Sequence, residues 1–149
     1  MPSDKQSESC VLIADHHQDV HNGLVLLLIQ NGYTVCDEAL TSEGSTPPLS
    51  GSDASIAIVD IPLDDLARPS LLDELRRLRI PVLVYSMNEA PETIQRAFNA
   101  GVSGYVSKRD VPDALLMGLR EVLARRRFLS PRAAQSLASK ALSLHDSQT

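Results

Sequence analysis

The sequence predicts an α/β fold, a doubly wound parallel sheet of five strands with helices on both faces and an extra helix at the C-terminus. Three observations carry that prediction. Short apolar runs of strand length alternate with longer stretches of helical periodicity. The runs are apolar on successive residues, as expected of parallel strands buried between two helical layers. Helical crossovers make neighbouring strands parallel, and their right-handedness spreads the helices over both faces of the sheet.

The elements follow in order. Cys10-Val-Leu-Ile-Ala14 is the first strand. A helix follows, capped by Asp15 or Asp19, with Val20, Leu24, Leu27 and Leu28 near helical spacing and a stop at Asn31-Gly32. Residues 33–36 form a short second strand, Ser55-Ile-Ala-Ile-Val-Asp60 the third, Ile80-Pro-Val-Leu-Val-Tyr85 the fourth and Gly104-Tyr-Val-Ser107 the fifth. Residues 69–79 carry Leu71, Leu72, Leu75 and Leu78 on one stripe behind Pro69, which suits a first helical turn. Residues 91–100 open with Pro91 in the same way and stop at Gly101. Asp110 is a candidate cap for the next helix, whose Leu115, Leu119, Val122 and Leu123 share a face, with Arg125 to Arg127 suited to its C-terminal dipole. Ser130-Pro131 opens a last helix through about Leu144. Residues 41–53, rich in Ser, Pro and Gly, interrupt the alternation, and Pro47-Pro48 limits any helix there to a turn or two.

Composition bounds the function. The chain has 149 residues, 43% apolar and 22% charged, enough for one hydrophobic core. Residues 1–8 are expected to be disordered, 9–128 to form the domain and 129–149 a linker-like helix and tail. The longest apolar run, Leu24 to Ile29, is too short to cross a bilayer, and the polar N-terminus shows no secretory signal, so a cytoplasmic protein without a membrane partner is expected. A net charge of −5 argues against a chain whose main task is to grip nucleic acid backbone. Cys10 and Cys36 have neither zinc spacing nor a CxxC pairing, and read as small apolar residues.

Ligands of doubly wound sheets collect at the carboxyl ends of the strands. There the sequence places Asp15 and His16 after strand one, Asp60 after strand three, Ser86 after strand four, and Ser107 and Lys108 after strand five. Singly, each has an ordinary explanation: Asp15 as a helix cap, Asp60 as a turn former, Lys108 as a solvated charge. Together they support phosphoryl transfer to a carboxylate. Asp60 is the nucleophile, a divalent cation held partly by Asp15 and Asp60 neutralises charge, Lys108 pairs with a phosphoryl oxygen, and Ser86 donates to it.

Val11-Leu-Ile-Ala-Asp15, Ile58-Val-Asp60, Pro81-Val-Leu-Val-Tyr-Ser86, Ala100-Gly-Val-Ser-Gly-Tyr-Val-Ser-Lys108 and Arg127-Phe-Leu-Ser-Pro131 resemble a response-regulator receiver domain of the NarL/FixJ (LuxR-type) subfamily. The resemblance runs from about Cys10 to Pro131 and implies a flavodoxin-like receiver with strand order 2-1-3-4-5. It implies Asp60 as phosphoacceptor, Lys108 and Ser86 as phosphate contacts, Ser86 and Tyr105 as the switch pair, and a sensor histidine kinase as phosphoryl donor. It implies Mg2+ as cofactor, held by Asp15, Asp60 and the backbone carbonyl of Pro62.

Two departures qualify these roles. The second acidic position of the family is His16, whose neutral imidazole is a poor donor to a hard cation and predicts weak magnesium binding. Pro62 is the second residue after Asp60, where the family usually places proline at the fourth. His16 therefore motivates an alternative, a pseudo-receiver interaction module that signals without phosphorylation. An aspartate-nucleophile phosphatase is a third reading, disfavoured because Pro62 occupies the place of that class's second Asp; an enzyme is not expected. His17 and His21, four apart, read as surface residues rather than metal ligands. Regulators of the subfamily usually continue into a helix-turn-helix, so DNA is expected to be contacted only through a domain absent from this sequence, as the regulatory part of a transcription factor. The final helix, with Leu137, Ala141 and Leu144 near one stripe, is expected to pack on the body or to join two copies in a homodimer.

Overall fold

Alternate residues of each strand enter two different hydrophobic cores, and this division sets the architecture. The computed structural model describes residues 9–14, 18–36, 54–60 and 70–147. These form β1 (Cys10–Ala14), α1 (Gln18–Gln30), β2 (Thr34–Cys36), β3 (Ala54–Val59), α2 (Ser70–Arg77), β4 (Val82–Ser86), α3 (Pro91–Asn99), β5 (Gly104–Ser107), α4 (Pro112–Leu123), β6 (Phe128–Leu129) and α5 (Pro131–Ser147). Val11, Ile13, Ile56, Ile58, Leu83 and Val106 point to one face, where Leu24 and Leu28 of α1 and Leu115 and Leu119 of α4 cover them. Leu12, Ala57, Val59, Val82, Val84 and Tyr105 point to the other, beneath Leu72 and Leu75 of α2, Ile94 and Ala97 of α3 and Ala133 of α5. This period-two division is what a strand buried on both faces requires.

The sheet is parallel throughout, in the order β2-β1-β3-β4-β5-β6. The expected order of the first five strands holds. A short sixth strand extends it, pairing Gly104 with Phe128 and Tyr105 with Leu129. β5 approaches its neighbours closely at Gly104, where a Cβ would come within 2.5 Å of Leu83 Cδ1 and 3.1 Å of Val122 Cγ2. A larger residue there requires the buried Leu83 side chain to shift within a filled core.

Several local expectations are corrected. Asp110 does not cap α4: the cap is Val111, with Pro112 at the first turn, and the Asp110 carboxylate accepts instead from the Arg132 backbone N–H at 3.3 Å. Pro112 removes a donor that would need a cap and presets the helical φ, so no capping side chain is required. Asp19 falls inside α1 rather than before it. α5 runs on to Ser147, past the expected end near Leu144. The proline-rich stretch 41–53, the N-terminal residues 1–8, and Asp15, His16, His17, Pro62 and Pro69 lie outside the described residues. No helix among the described residues is long and apolar enough to cross a membrane.

Candidate functional site

Because β3, β4 and β5 are adjacent and parallel, the residues at their carboxyl ends share one edge of the sheet. Asp60 follows Val59 at the end of β3, and its backbone N–H donates to the carbonyl of Ala14 at 3.2 Å, which ties it to the end of β1. Lys108 follows β5, and its N–H donates to the carbonyl of Ser86 at 2.8 Å. The register of β4 against β5, with Ser86 opposite Ser107, brings Ser86 to the same level.

Lys108 Nζ donates to Asp60 Oδ2 at 2.8 Å, with the two side chains only 7% and 14% exposed. The two residues are 48 positions apart in sequence and meet at the sheet edge. Lys108 Nζ also lies 5.8 Å from the centroid of the Tyr85 ring, so its aliphatic stem and charge are flanked by an aromatic face. A carboxylate and an ammonium held together away from bulk water interact more strongly than on an open surface.

Ser86 is buried, and its Oγ accepts from the Asn88 N–H at 3.0 Å. The Asn88 side chain accepts from the Ala90 N–H at 2.9 Å, which folds the β4–α3 loop back on itself. Tyr105 is 1% exposed and its hydroxyl donates to the carbonyl of Asn88 at 2.6 Å. Burial raises its pKa; a hydrogen bond with Ser86 lowers it, and the nearby charges of Asp60 and Glu89 raise it again. The phenol therefore stays neutral and keeps its donor. Of the residues singled out from sequence, Asp60, Lys108, Ser86 and Tyr105 are brought together. Asp15, His16 and Pro62 are outside the described residues.

A second network adjoins the first and was not visible in the sequence. Ser107 Oγ donates to the Glu89 carboxylate, and Arg132 of α5 donates to the same carboxylate through Nε at 2.6 Å and Nη2 at 3.4 Å. Ser136 Oγ donates to the Glu89 carbonyl at 2.5 Å. Ser107 Oγ accepts in turn from the Arg109 N–H at 3.0 Å, while its own N–H donates to the buried Ser130 Oγ at 3.1 Å. Arg132, and after it Ser107, holds the Glu89 carboxyl below its usual pKa. The loop that carries Ser86 and Asn88 is thereby joined through Glu89 to the C-terminal helix. Of its members, Ser107 was expected at the end of strand five and Ser130 lies in the Phe-Leu-Ser-Pro stretch, whereas Glu89, Arg132 and Ser136 carried no signal.

This geometry coincides with a match to the response regulator receiver domain family over residues 11–120. The chain belongs to that family. It is a two-component receiver, 29% identical over 130 residues to the transcriptional regulatory protein UhpA of Salmonella typhimurium, a match covering 87% of this chain and 66% of that protein. It is 27% identical over 142 residues to the response regulator GacA of Pseudomonas aeruginosa, covering 92% and 66%. A crystal structure of a LuxR-family two-component response regulator from Aurantimonas sp. SI85-9A1 superimposes with a TM-score of 0.74 at 27% identity, covering 90% of this chain and 98% of that one. The receiver thus spans just under two thirds of the length of these curated relatives. Receivers of this family generally bind Mg2+ at the phosphorylation site and interact with sensor histidine kinases.

Proposed function

We propose that this receiver accepts a phosphoryl group on Asp60 from a phosphohistidine of a sensor histidine kinase and relays its presence through the β4–α3 loop to α5. The observation that carries the reading is the 2.8 Å contact between the largely buried side chains of Lys108 and Asp60, Nζ to Oδ2, with the buried Ser86 at the end of the adjacent strand β4. An Asp60 carboxylate oxygen attacks phosphorus, the P–N bond of the phosphohistidine breaks, and the histidine departs with its electron pair and takes up a proton. Lys108, already beside the nucleophile, pairs with the negative charge of the transferred group. The Ser86 hydroxyl turns to donate to a phosphoryl oxygen, which loosens its bond from the Asn88 N–H. Tyr105 and Glu89 carry that change into the contacts of α5.

The donors available to magnesium are mixed in kind. Oxygens of Asp15 and Asp60 and the Pro62 carbonyl suit a hard cation, whereas His16 adds neither charge nor oxygen. When bound, the ion offsets negative charge around the acceptor carboxylate. The role is that of a cytoplasmic signalling module rather than an enzyme, with the kinase and a second copy of the chain as partners. DNA contact, in a regulator of this kind, belongs to a separate domain rather than to the receiver.

Incubation with acetyl phosphate and magnesium tests the reading by intact mass. The protein should gain one phosphoryl group and Asp60→Asn should gain none. The alternative, a phosphate-independent module, is favoured by His16 alone and predicts no gain in either protein. A gain retained in Asp60→Asn would assign the acceptor to another residue.

A further inference from the structure

The end of the sheet opposite Asp60 carries a cleft that the signalling chemistry does not use. It lies at the amino ends of β3, β4 and β5, has a volume of about 780 Å³, and is lined by Arg76, Arg79, Arg125, Arg126 and Arg127. In a chain of net charge −5, these are five of its fourteen basic residues, and no described residue lining the cleft is acidic. Ligands of doubly wound folds normally occupy the other end of the sheet, so the general rule for the fold does not account for this concentration.

Helix C-termini attract arginine, and both α2 and α4 end here. That effect is too small to explain five. Glu121 engages Arg126 through bonds of 2.7 and 3.2 Å and offsets one charge. Each helix end contributes roughly half a negative charge, about one in all. Among the described residues about three positive charges are then left without an opposing group, and no carboxylate there pairs with Arg79, Arg125 or Arg127.

The backbone gives an independent indication. Among the described residues the non-glycine positions with positive φ are Arg79, at 61°, and Arg125, at 65°. Each follows a helix end, where glycine meets the left-handed conformation without strain. Both of these strained arginines line the same cleft. Arg76 is fixed beside them, with Nη1 3.5 Å from the Ala100 carbonyl and its side chain packed against Gly101.

We propose that this cleft binds a short phosphate chain, free or as the tail of a nucleotide. Guanidinium groups recognise phosphate oxygens in bidentate fashion, and among the described residues the lining contains no lysine, which would serve a less directional charge. The volume falls within the range of small-molecule sites. The charge surplus matches a compact multivalent anion, and the negative charge of the rest of the chain disfavours a long acidic polymer. Arg125 to Arg127 lead directly into β6, so occupancy also fixes the turn from which α5 departs.

Calorimetric titration of the full chain with sodium tripolyphosphate, and separately with adenosine triphosphate, tests the proposal and distinguishes the two sources. The double variant Arg79→Gly/Arg125→Gly removes two guanidinium groups while placing glycine where φ is positive, so it keeps the fold. The expected result is binding to the wild type that weakens at least tenfold in the double variant and is unchanged in Asp60→Asn. Tighter binding of the nucleotide identifies a nucleotide tail, and equal binding identifies the phosphate chain alone. Absence of binding by the wild type, unchanged affinity in the double variant, or loss in Asp60→Asn each overturns it.

Discussion

Replacing Lys108 by methionine tests the convergence on which the site rests, because it removes the ammonium while keeping most of the stem. The pair is 2.8 Å apart, with side chains 7% and 14% exposed, so the Asp60 carboxylate faces Lys108 with little water between them. At an effective dielectric of about 20 the attraction at that distance is roughly 6 kcal/mol, most of it offset by desolvation of both groups. Removing one partner of such a pair while the other stays buried costs about 3 kcal/mol. In a chain of this length that lowers the melting temperature by roughly 6–12 °C. The double variant Asp60→Asn/Lys108→Met removes both charges and should recover most of the loss, leaving a coupling of about 2 kcal/mol. Urea unfolding followed by far-ultraviolet circular dichroism measures all four proteins. Losses that add within about 0.5 kcal/mol would refute direct contact between these two residues.

Two further outcomes follow from the same geometry. The Glu89 carboxyl is held below its usual pKa by Arg132 and Ser107, so its contribution to docking α5 is complete above the ordinary glutamate range and is lost as pH falls through the lowered value. Acid titration of the wild type should therefore show a loss of α5 amide protection at pH below the ordinary glutamate range that Glu89→Gln lacks; identical profiles would remove Glu89 from the clasp. His16→Asp restores an oxygen donor and a negative charge, and should tighten magnesium binding by about tenfold in calorimetric titration. Unchanged affinity would mean that residue 16 does not face the metal site.

The strand ends were legible because two local signals determine them. Apolar runs mark where each parallel strand begins and ends, and helical crossovers fix the edge at which the following residues emerge. Asp60, Ser86 and Lys108 thus met as expected, although no local pattern links them. Features that depend on how α5 docks were not legible. Glu89 and Arg132 are 43 residues apart, and neither lies on an apolar stripe that would predict contact. β6 is two residues long, too short for a periodic signal, and forms only because Phe128 and Leu129 find the open edge of β5. Asp110 misled because an acid before a helix resembles a cap, whereas Pro112 had already made one unnecessary. Arg125 to Arg127 were recognised as a helix end, but Arg76 and Arg79 join them only in the folded chain.

Signalling through this sheet edge requires Asp60, Lys108, Ser86 and Tyr105 to respond together. Amide spectra of the labelled protein, recorded with magnesium before and after addition of beryllofluoride, test this directly. The predicted result is a concerted shift of Ser86, Asn88, Tyr105 and Lys108, extending through Glu89 to Arg132, and abolished in Asp60→Asn. Spectra unchanged by saturating beryllofluoride, or shifts that persist in Asp60→Asn, would contradict it.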